Sequence, residues 1–208
     1  MLDIVDMSHQ ALRSQIRQER QNLSLQQQQH AAIQVLDICQ KQLHLEKVNT
    51  IAVYLANDGE INPSEIIKYC WQSNKRVLLP AMHPFSKGHL VFVEYLANSP
   101  MKTNQYGIKE PIVTTNNIIP LAEIELIMTP LVAFDAKGNR LGMGGGYYDR
   151  TLAPIKRYNL NTQLIGLAHS CQQVDTLDAN YWDIPLHGIA TPKQFFKTPN
   201  CVRDSSLC

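Results

Sequence analysis

The sequence contains no CxxC pair, no HxxxH or HExxH spacing and no GxSxG elbow. The first two absences exclude the usual zinc frameworks, and the third disfavours a serine hydrolase. No run of eighteen apolar residues exists, so no membrane-spanning helix is expected. The opening stretch MLDIVDMSHQ carries acids and lacks an apolar h-region, so it does not read as a secretory signal. Charge of one sign is also lacking. Lys+Arg is 19 and Asp+Glu is 18, a net charge of +1. That balance argues against a polybasic nucleic-acid binder or a membrane-surface protein, but leaves room for a local anion site. The five cysteines (Cys39, Cys70, Cys171, Cys201, Cys208) are scattered and odd in number. They fit reduced, mostly structural thiols in a cytoplasmic protein.

What is present alternates between helical and strand patterns over 208 residues, enough for one sizeable core. Residues 8–22 predict a first helix, with Leu12 and Ile16 on one face and Arg13, Arg17 and Arg20 forming a basic stripe. The plain reading of that stripe is a solvated face. Ser24-x-x-Gln27 is a capping box for a second helix reaching about residue 45, with Ile33, Leu36 and Leu43 as its apolar stripe. TIAVYLA (50–56) reads as a buried strand. Asn62-Pro63-Ser64-Glu65 then starts a helix that runs to about Ser73. RVLLPAM (76–82) and HLVFVEY (89–95) follow as strands, and 97–120 reads as an irregular surface excursion. LIMTPLVAF (126–134) is a strand whose proline marks a bulge or an end. A helix from about Tyr147, a strand over 162–170 and a short final strand at 188–192 complete the pattern, with a polar, fraying tail from about Lys197. Alternation of this kind predicts a single α/β domain with a mainly parallel sheet, core about 8–196. Ligands of such sheets bind beyond the carboxyl ends of the strands.

Two stretches fall at such ends. Asn57-Asp58-Gly59-Glu60 follows the first strand, and Gly142-Met143-Gly144-Gly145-Gly146 follows the apolar run. Glycine lets a ligand approach the backbone closely, and successive N–H groups before a helix can converge on an anion such as phosphate. A tight structural crossover would use the same residues. The segment is neither GxxxxGK[ST] nor GxGxxG. Asp149, just inside the next helix, either complements the helix dipole or holds Mg²⁺ beside phosphate. Asp183 reads as a turn acid. Glu60 is either a plain loop carboxylate or a partner for a polar ligand.

The stretch TPLVAFDAKGNRLGMGGGYYDR closely resembles the signature of the 5-formyltetrahydrofolate cyclo-ligase family, also called 5,10-methenyltetrahydrofolate synthetase. The resemblance extends over roughly 8–195. It takes in ALRSQIRQERQNLS, VYLANDGEINPSEII, KRVLLPAMHPFSKGHLVF, the YGIKEP segment and WDIPLHGIATP, in that order. It implies a three-layer α/β fold, a mainly parallel sheet flanked by helices, like that of sugar-phosphate isomerases and CoA transferases. It also implies an ATP-dependent reaction. ATP phosphorylates the formyl oxygen of 5-formyltetrahydrofolate, N10 closes the ring, and 5,10-methenyltetrahydrofolate, ADP and phosphate are released.

By the same resemblance, Arg13 and His9 meet ATP phosphates. Arg140, Leu141, Gly142, Met143, Gly144, Gly145, Gly146, Tyr147 and Tyr148 form the nucleotide-binding signature. Leu55, Glu60, the 143–146 backbone and Tyr147 meet the folate, and Glu60, Arg140 and Tyr147 serve catalysis. Asp149 and Asp183 are the magnesium-linked pair, and Asp149→Ala is expected to abolish turnover with little loss of stability. His9 stands where many members carry lysine, and MGGGYYD stands for RGKGYYD. Met143 and Gly145 thus replace two cations, whose charge Arg140, Arg150, Lys87 or Lys109 would have to supply. The partners implied are small molecules alone, in the cytoplasm, with a monomer favoured. Two other readings are a folate- or nucleotide-binding relative without turnover, and a sugar-phosphate isomerase or acyl-CoA transferase resting on fold analogy.

Overall fold

In the computed structural model, residues 9–178, 180 and 182–199 are described. The opening octapeptide, Cys201, Cys208 and the tail beyond Pro199 lie outside them. Helices α1 (His9–Gln21) and α2 (Leu25–Leu43) are separated by the predicted capping box. Ser24 Oγ accepts from the Gln27 amide at 3.2 Å, and Gln27 Oε1 accepts from the Ser24 amide at 2.8 Å. Two orphan donors at the helix start are thereby satisfied. Val35, Cys39 and Leu43, spaced four apart, form the buried face of α2. Ile33, expected in that stripe, is 58% exposed, because it sits about 200° around the helix from Val35. Helix α3 (Ser64–Gln72) starts after the Asn62 carboxamide accepts from the Ser64 amide at 3.0 Å, with Pro63 in the cap position.

One sheet of eight strands carries the fold, in the order β12-β11-β10-β7-β1-β2-β3-β6. Its middle is parallel: β11 (Gly188–Ala190), β10 (Gln163–Leu167), β7 (Leu126–Pro130), β1 (Thr50–Ala52) and β2 (Arg76–Met82). The additions at either side run antiparallel: β3 (Leu90–Glu94) and β6 (Ile118–Ile119) beyond β2, and β12 (Phe195–Lys197) beyond β11. Side chains alternate between the two faces as the strand period of two requires. Ile51, Val77, Leu79, Leu126, Met128 and Ile165 join α2 and α3 in one core. Ala52, Leu78, Ile127 and Leu164 join Leu152 and Ile155 of α4 (Tyr147–Arg157) in the other. Helices therefore cover both faces, and the near-continuous apolar strands are the expected price of that burial.

Several boundaries differ from the sequence reading. The run 126–134 is two strands: β7 ends at Pro130, and β8 (Ala133–Phe134) pairs with β9 (Arg140–Leu141) in a separate hairpin. A proline cannot donate to the ladder, so the chain leaves the sheet there. The 97–120 excursion holds a small hairpin of β4 (Met101–Thr103) and β5 (Lys109–Pro111), together with β6. Strand β11 is followed by β12, so 188–192 is not the last strand.

Candidate functional site

A cleft of about 790 Å³ opens beyond the carboxyl ends of β1, β2 and β7. Leu55, Leu79, Met82 and Leu90 line it, together with the glycine segment, Arg13, Asp149 and Asp183. Glu60, His9, Arg140, Leu141, Tyr147 and Tyr148 also reach it. Every site residue expected from sequence therefore faces one space, although they come from four separate stretches of chain.

The basic stripe of α1 is not a solvated face. Arg20 is fully buried. Its Nε donates to the Asp58 carbonyl at 2.7 Å, one Nη to the Asp58 carboxylate at 2.7 Å, and the other Nη to the Leu131 carbonyl at 3.2 Å. Arg17 Nε meets the same carboxylate at 2.7 Å, and Gln21 donates to its other oxygen. Arg17, then Arg20, hold the Asp58 carboxyl below the usual carboxylate range. This clamp fixes the loop after β1 to the loop after β7, with Asp58 held at φ 51°. Arg13 alone of the three turns to the glycine segment, its Nε donating to the Gly142 carbonyl at 2.8 Å.

At the other edge of that loop, Glu60 Oε2 accepts from the Asn57 amide at 3.1 Å. Burial pushes its carboxyl up to about 7, against that hydrogen bond and the Arg20 charge. Burial likewise raises the hydroxyls of Tyr148 and Tyr54, and the charge of Glu60 adds to both. Tyr54 donates to the Ile61 carbonyl at 2.9 Å, which closes the loop from below.

The glycine segment links β9 to α4. Gly144 and Gly146 take φ of 90° and 63°, a backbone that L side chains rarely adopt. A Cβ at Gly146 would also lie 2.7 Å from an Arg150 Nη. Arg150 anchors the segment from outside, donating to the Gly88 carbonyl at 2.9 Å and to the Gly145 carbonyl. The Tyr147 hydroxyl pairs with that of Tyr106 at 2.8 Å, which raises its pKa. Before the segment, the fully buried Asp135 organises the β8–β9 turn. Its carboxylate accepts from the amides of Lys137 and Asn139, each at 3.0 Å, and from Leu177 at 3.1 Å.

Arg140 is a strut. One Nη donates to the Ile184 carbonyl at 2.7 Å and the other to Asp149 Oδ1 at 2.6 Å. Burial lowers the guanidinium pKa, while the carboxylates of Asp149 and Asp183 oppose that effect. The two acids thus share one electrostatic neighbourhood. Asp183 also serves its turn, accepting from the Asn180 amide at 2.7 Å. The expectation that Asp149→Ala spares stability needs correction, since alanine would leave a buried Arg140 without its carboxylate. Lys87 and Arg150 do not line the cleft, whereas Lys109 does.

Sequence reading missed the Arg20–Asp58 clamp, the Asp135 turn, Tyr106 and Glu110. The Asp135-x-x-Gly138 spacing is a turn signal and could have revealed the second. The others depend on contacts between distant segments.

An α/β sheet whose cleft is lined both by a glycine-rich, cation-flanked segment and by apolar side chains defines a class. It is an enzyme that brings an aromatic or apolar substrate against a phosphate-bearing one. The sequence profile of the 5-formyltetrahydrofolate cyclo-ligase family matches residues 5–192, and the chain belongs to that family. It is 46% identical to the 5-formyltetrahydrofolate cyclo-ligase of Haemophilus influenzae over 180 residues, 86% of this chain and 95% of that one. It is 41% identical to that of Escherichia coli K12 over 182 residues, 88% and 99% of the two chains. The fold matches the solved 5,10-methenyltetrahydrofolate synthetase of Aquifex aeolicus with a TM-score of 0.78 at 25% identity, covering 97% of each chain. The synthetase of Mycoplasma pneumoniae matches with a TM-score of 0.70 at 26% identity, over 89% of this chain and 99% of that one.

Proposed function

We infer that the protein converts 5-formyltetrahydrofolate to 5,10-methenyltetrahydrofolate at the expense of ATP, releasing ADP and phosphate. The observation that carries this reading is the single cleft lined both by apolar side chains and by the glycine segment, with Glu60 close to Tyr148. In this reading Leu55, Leu79 and Met82 hold the fused ring of the folate, and the 142–148 backbone with Arg13 and His9 holds the triphosphate; all of them line the one cleft. A formyl oxygen is a very poor leaving group. Transfer of the γ-phosphoryl group to it breaks the bond to ADP and makes that oxygen expellable. The N10 lone pair then forms the new C–N bond, phosphate departs with the C–O electrons, and N10 loses its proton. Glu60 in its carboxylate form is the acceptor we assign to that proton, and Tyr147 borders the reacting atoms.

Asp149 and Asp183 fit Mg²⁺, which takes one or two carboxylates and completes its shell with phosphate oxygens and water. When bound there, the ion would offset charge on the phosphates. The protein's own part is to hold Asp149 against Arg140 and Asp183 in its turn. The likeness of the sheet to that of sugar-phosphate isomerases and CoA transferases belongs to this reading too, as does a cytoplasmic setting. Among the described residues no helix is long and apolar enough to cross a membrane.

The test is direct. Purified protein is mixed with 5-formyltetrahydrofolate and Mg²⁺, ATP is added, and the methenyl chromophore is followed. Signal that appears only with ATP is expected. Folate binding without signal would instead support a binding protein without turnover, the reading favoured by Met143 and Gly145 where cations were expected. Asp149→Asn tests the metal-linked role, because asparagine can still accept from Arg140 while removing the charge. We expect turnover to fall at least a hundredfold, with a smaller loss of thermal stability than in Asp149→Ala. Wild-type turnover in that variant would remove Asp149 from the reaction.

A further inference from the structure

We propose that Arg20 and Asp58 are positioning residues for the reaction: together they hold the turn 57–60 in the shape that presents the Glu60 carboxylate to the substrate. The proposal rests on the reading above, in which Glu60 takes the proton from N10. The turn runs Asn57-Asp58-Gly59-Glu60, and two bonds tie its ends. The Glu60 amide donates to the Asn57 carbonyl at 3.0 Å, and the Asn57 amide donates to Glu60 Oε2 at 3.1 Å. The direction of the Glu60 side chain therefore depends on the backbone of its own turn. Both central residues are left-handed, Asp58 at φ 51° and Gly59 at φ 73°. Positive φ at two successive residues is the demand of a type I′ turn, which normally joins two paired strands. Here no such ladder flanks it. Strand β1 pairs with β2 and β7, and the base of the turn is crossed by the Tyr54 hydroxyl, which donates to the Ile61 carbonyl. Glycine tolerates this backbone, and aspartate does so less readily. The shape has to be imposed from outside.

Helix α1 imposes it. The Arg20 guanidinium grips the carbonyl and the carboxylate of Asp58, each at 2.7 Å, and is itself anchored on the Leu131 carbonyl at 3.2 Å. A Cβ on Gly59 would lie 3.3 Å from the Arg20 carbonyl oxygen, so the turn is seated on the helix backbone. Arg13, two helical turns earlier, holds the Gly142 carbonyl. One helix thus fixes Glu60 and the glycine segment relative to each other, as a reaction between two bound ligands requires. The pair also bears on the proton. Burial raises the Glu60 carboxyl to about 7; the Asn57 bond and the Arg20 charge favour the carboxylate, and the Asp58 charge opposes it. The other groups facing this turn are uncharged near neutrality. Burial raises the hydroxyls of Tyr54 and Tyr148, and holds His169, beside Gly59, down to about 4.

Two measurements test the proposal. The first is an NMR titration of the Glu60 carboxyl carbon in the free protein, its signal identified by its loss in Glu60→Gln; it needs no turnover. Arg20→Met should move the midpoint upwards, and Arg20→Lys, which keeps a positive charge, should return it towards the wild-type value. The second is the rate of methenyl formation on the alkaline plateau of the pH profile. Glu60 is ionised there in every variant, so a loss reports position rather than protonation. We expect kcat of Arg20→Met to fall about tenfold or more, with the KM for ATP unchanged. Arg20→Lys should recover little of that rate, because an ammonium cannot reproduce the fork that spans Asp58 and Leu131. Should Arg20→Met not fold, Asp58→Ala cuts the same clamp at a side chain that is 16% exposed and carries the plateau test. A wild-type plateau rate in the folded variant overturns the proposal, as does a loss of ATP binding as large as the loss in kcat. A midpoint that Arg20→Met leaves in place also overturns it, since the turn would have kept Glu60 without the arginine. Wild-type protein that forms no methenyl product fails the folate reading instead, and the titration then decides alone whether the pair holds Glu60.

Discussion

Glu60 keeps its proton to about pH 7 because the cleft withdraws it from water more than the Asn57 amide and Arg20 compensate. A carboxyl poised there is matched to proton transfer near neutrality. The rate constant kcat/KM reports the free enzyme, so it should rise with pH through about 7 as the carboxylate forms. Glu60→Gln should flatten that limb and reduce the rate, whereas an unchanged profile would detach Glu60 from the proton. Arg20 and Asp58 illustrate the opposite case, charges retained for geometry. Both were legible as residues, and Arg20 was even placed on a stripe, but its burial was not. Whether an arginine on a helix meets water or an acid depends on the loop 38 positions away. Sequence periodicity carries no such information.

The glycine segment behaves as an element in its own right, a connector held by Arg13 on one side and Arg150 on the other. Its positions are not equivalent. Gly146→Ala forces an alanine to φ 63° and drives a Cβ to 2.7 Å from Arg150. It should cost about 1–3 kcal/mol in denaturant unfolding and raise the KM for ATP. Gly142→Ala meets no atom within 4 Å of the new Cβ and should leave stability unchanged. Equal stability losses would contradict this account. Elements were the most legible scale in the sequence: the capping box, the four helices and the central strands all stand close to where periodicity put them. The errors came where tertiary contact decides. Ile33 turned outwards because Val35, Cys39 and Leu43 supply a better-aligned buried line. The β8–β9 hairpin was hidden because Pro130 interrupts an apolar run without interrupting its hydropathy.

Over the whole molecule, two buried groups pull the pH dependence of stability in opposite directions. Glu60 has a folded pKa raised from 4.5 to about 7, so the folded state binds more protons between those values, and stability falls as pH rises through them. Burial holds His169 down to about 4 from 6.5, so the folded state binds fewer protons there, and stability falls as pH drops from 6.5 to 4. The windows overlap, and the two slopes should largely cancel in wild type. Glu60→Gln should unmask acid sensitivity, seen as a steeper fall in melting temperature between pH 6.5 and 4; an identical profile would show that the opposition is absent. A last consequence lies at the rims of the sheet. Its outermost strands are β6, two residues followed by Pro120, and β12, three residues with Pro199 two positions on. Neither rim offers a long row of unpaired amides, and a proline near each stops the ladder from growing. Crowded copies of this protein therefore lack a template for strand-by-strand stacking, and concentrated solutions should resist fibril formation through these edges.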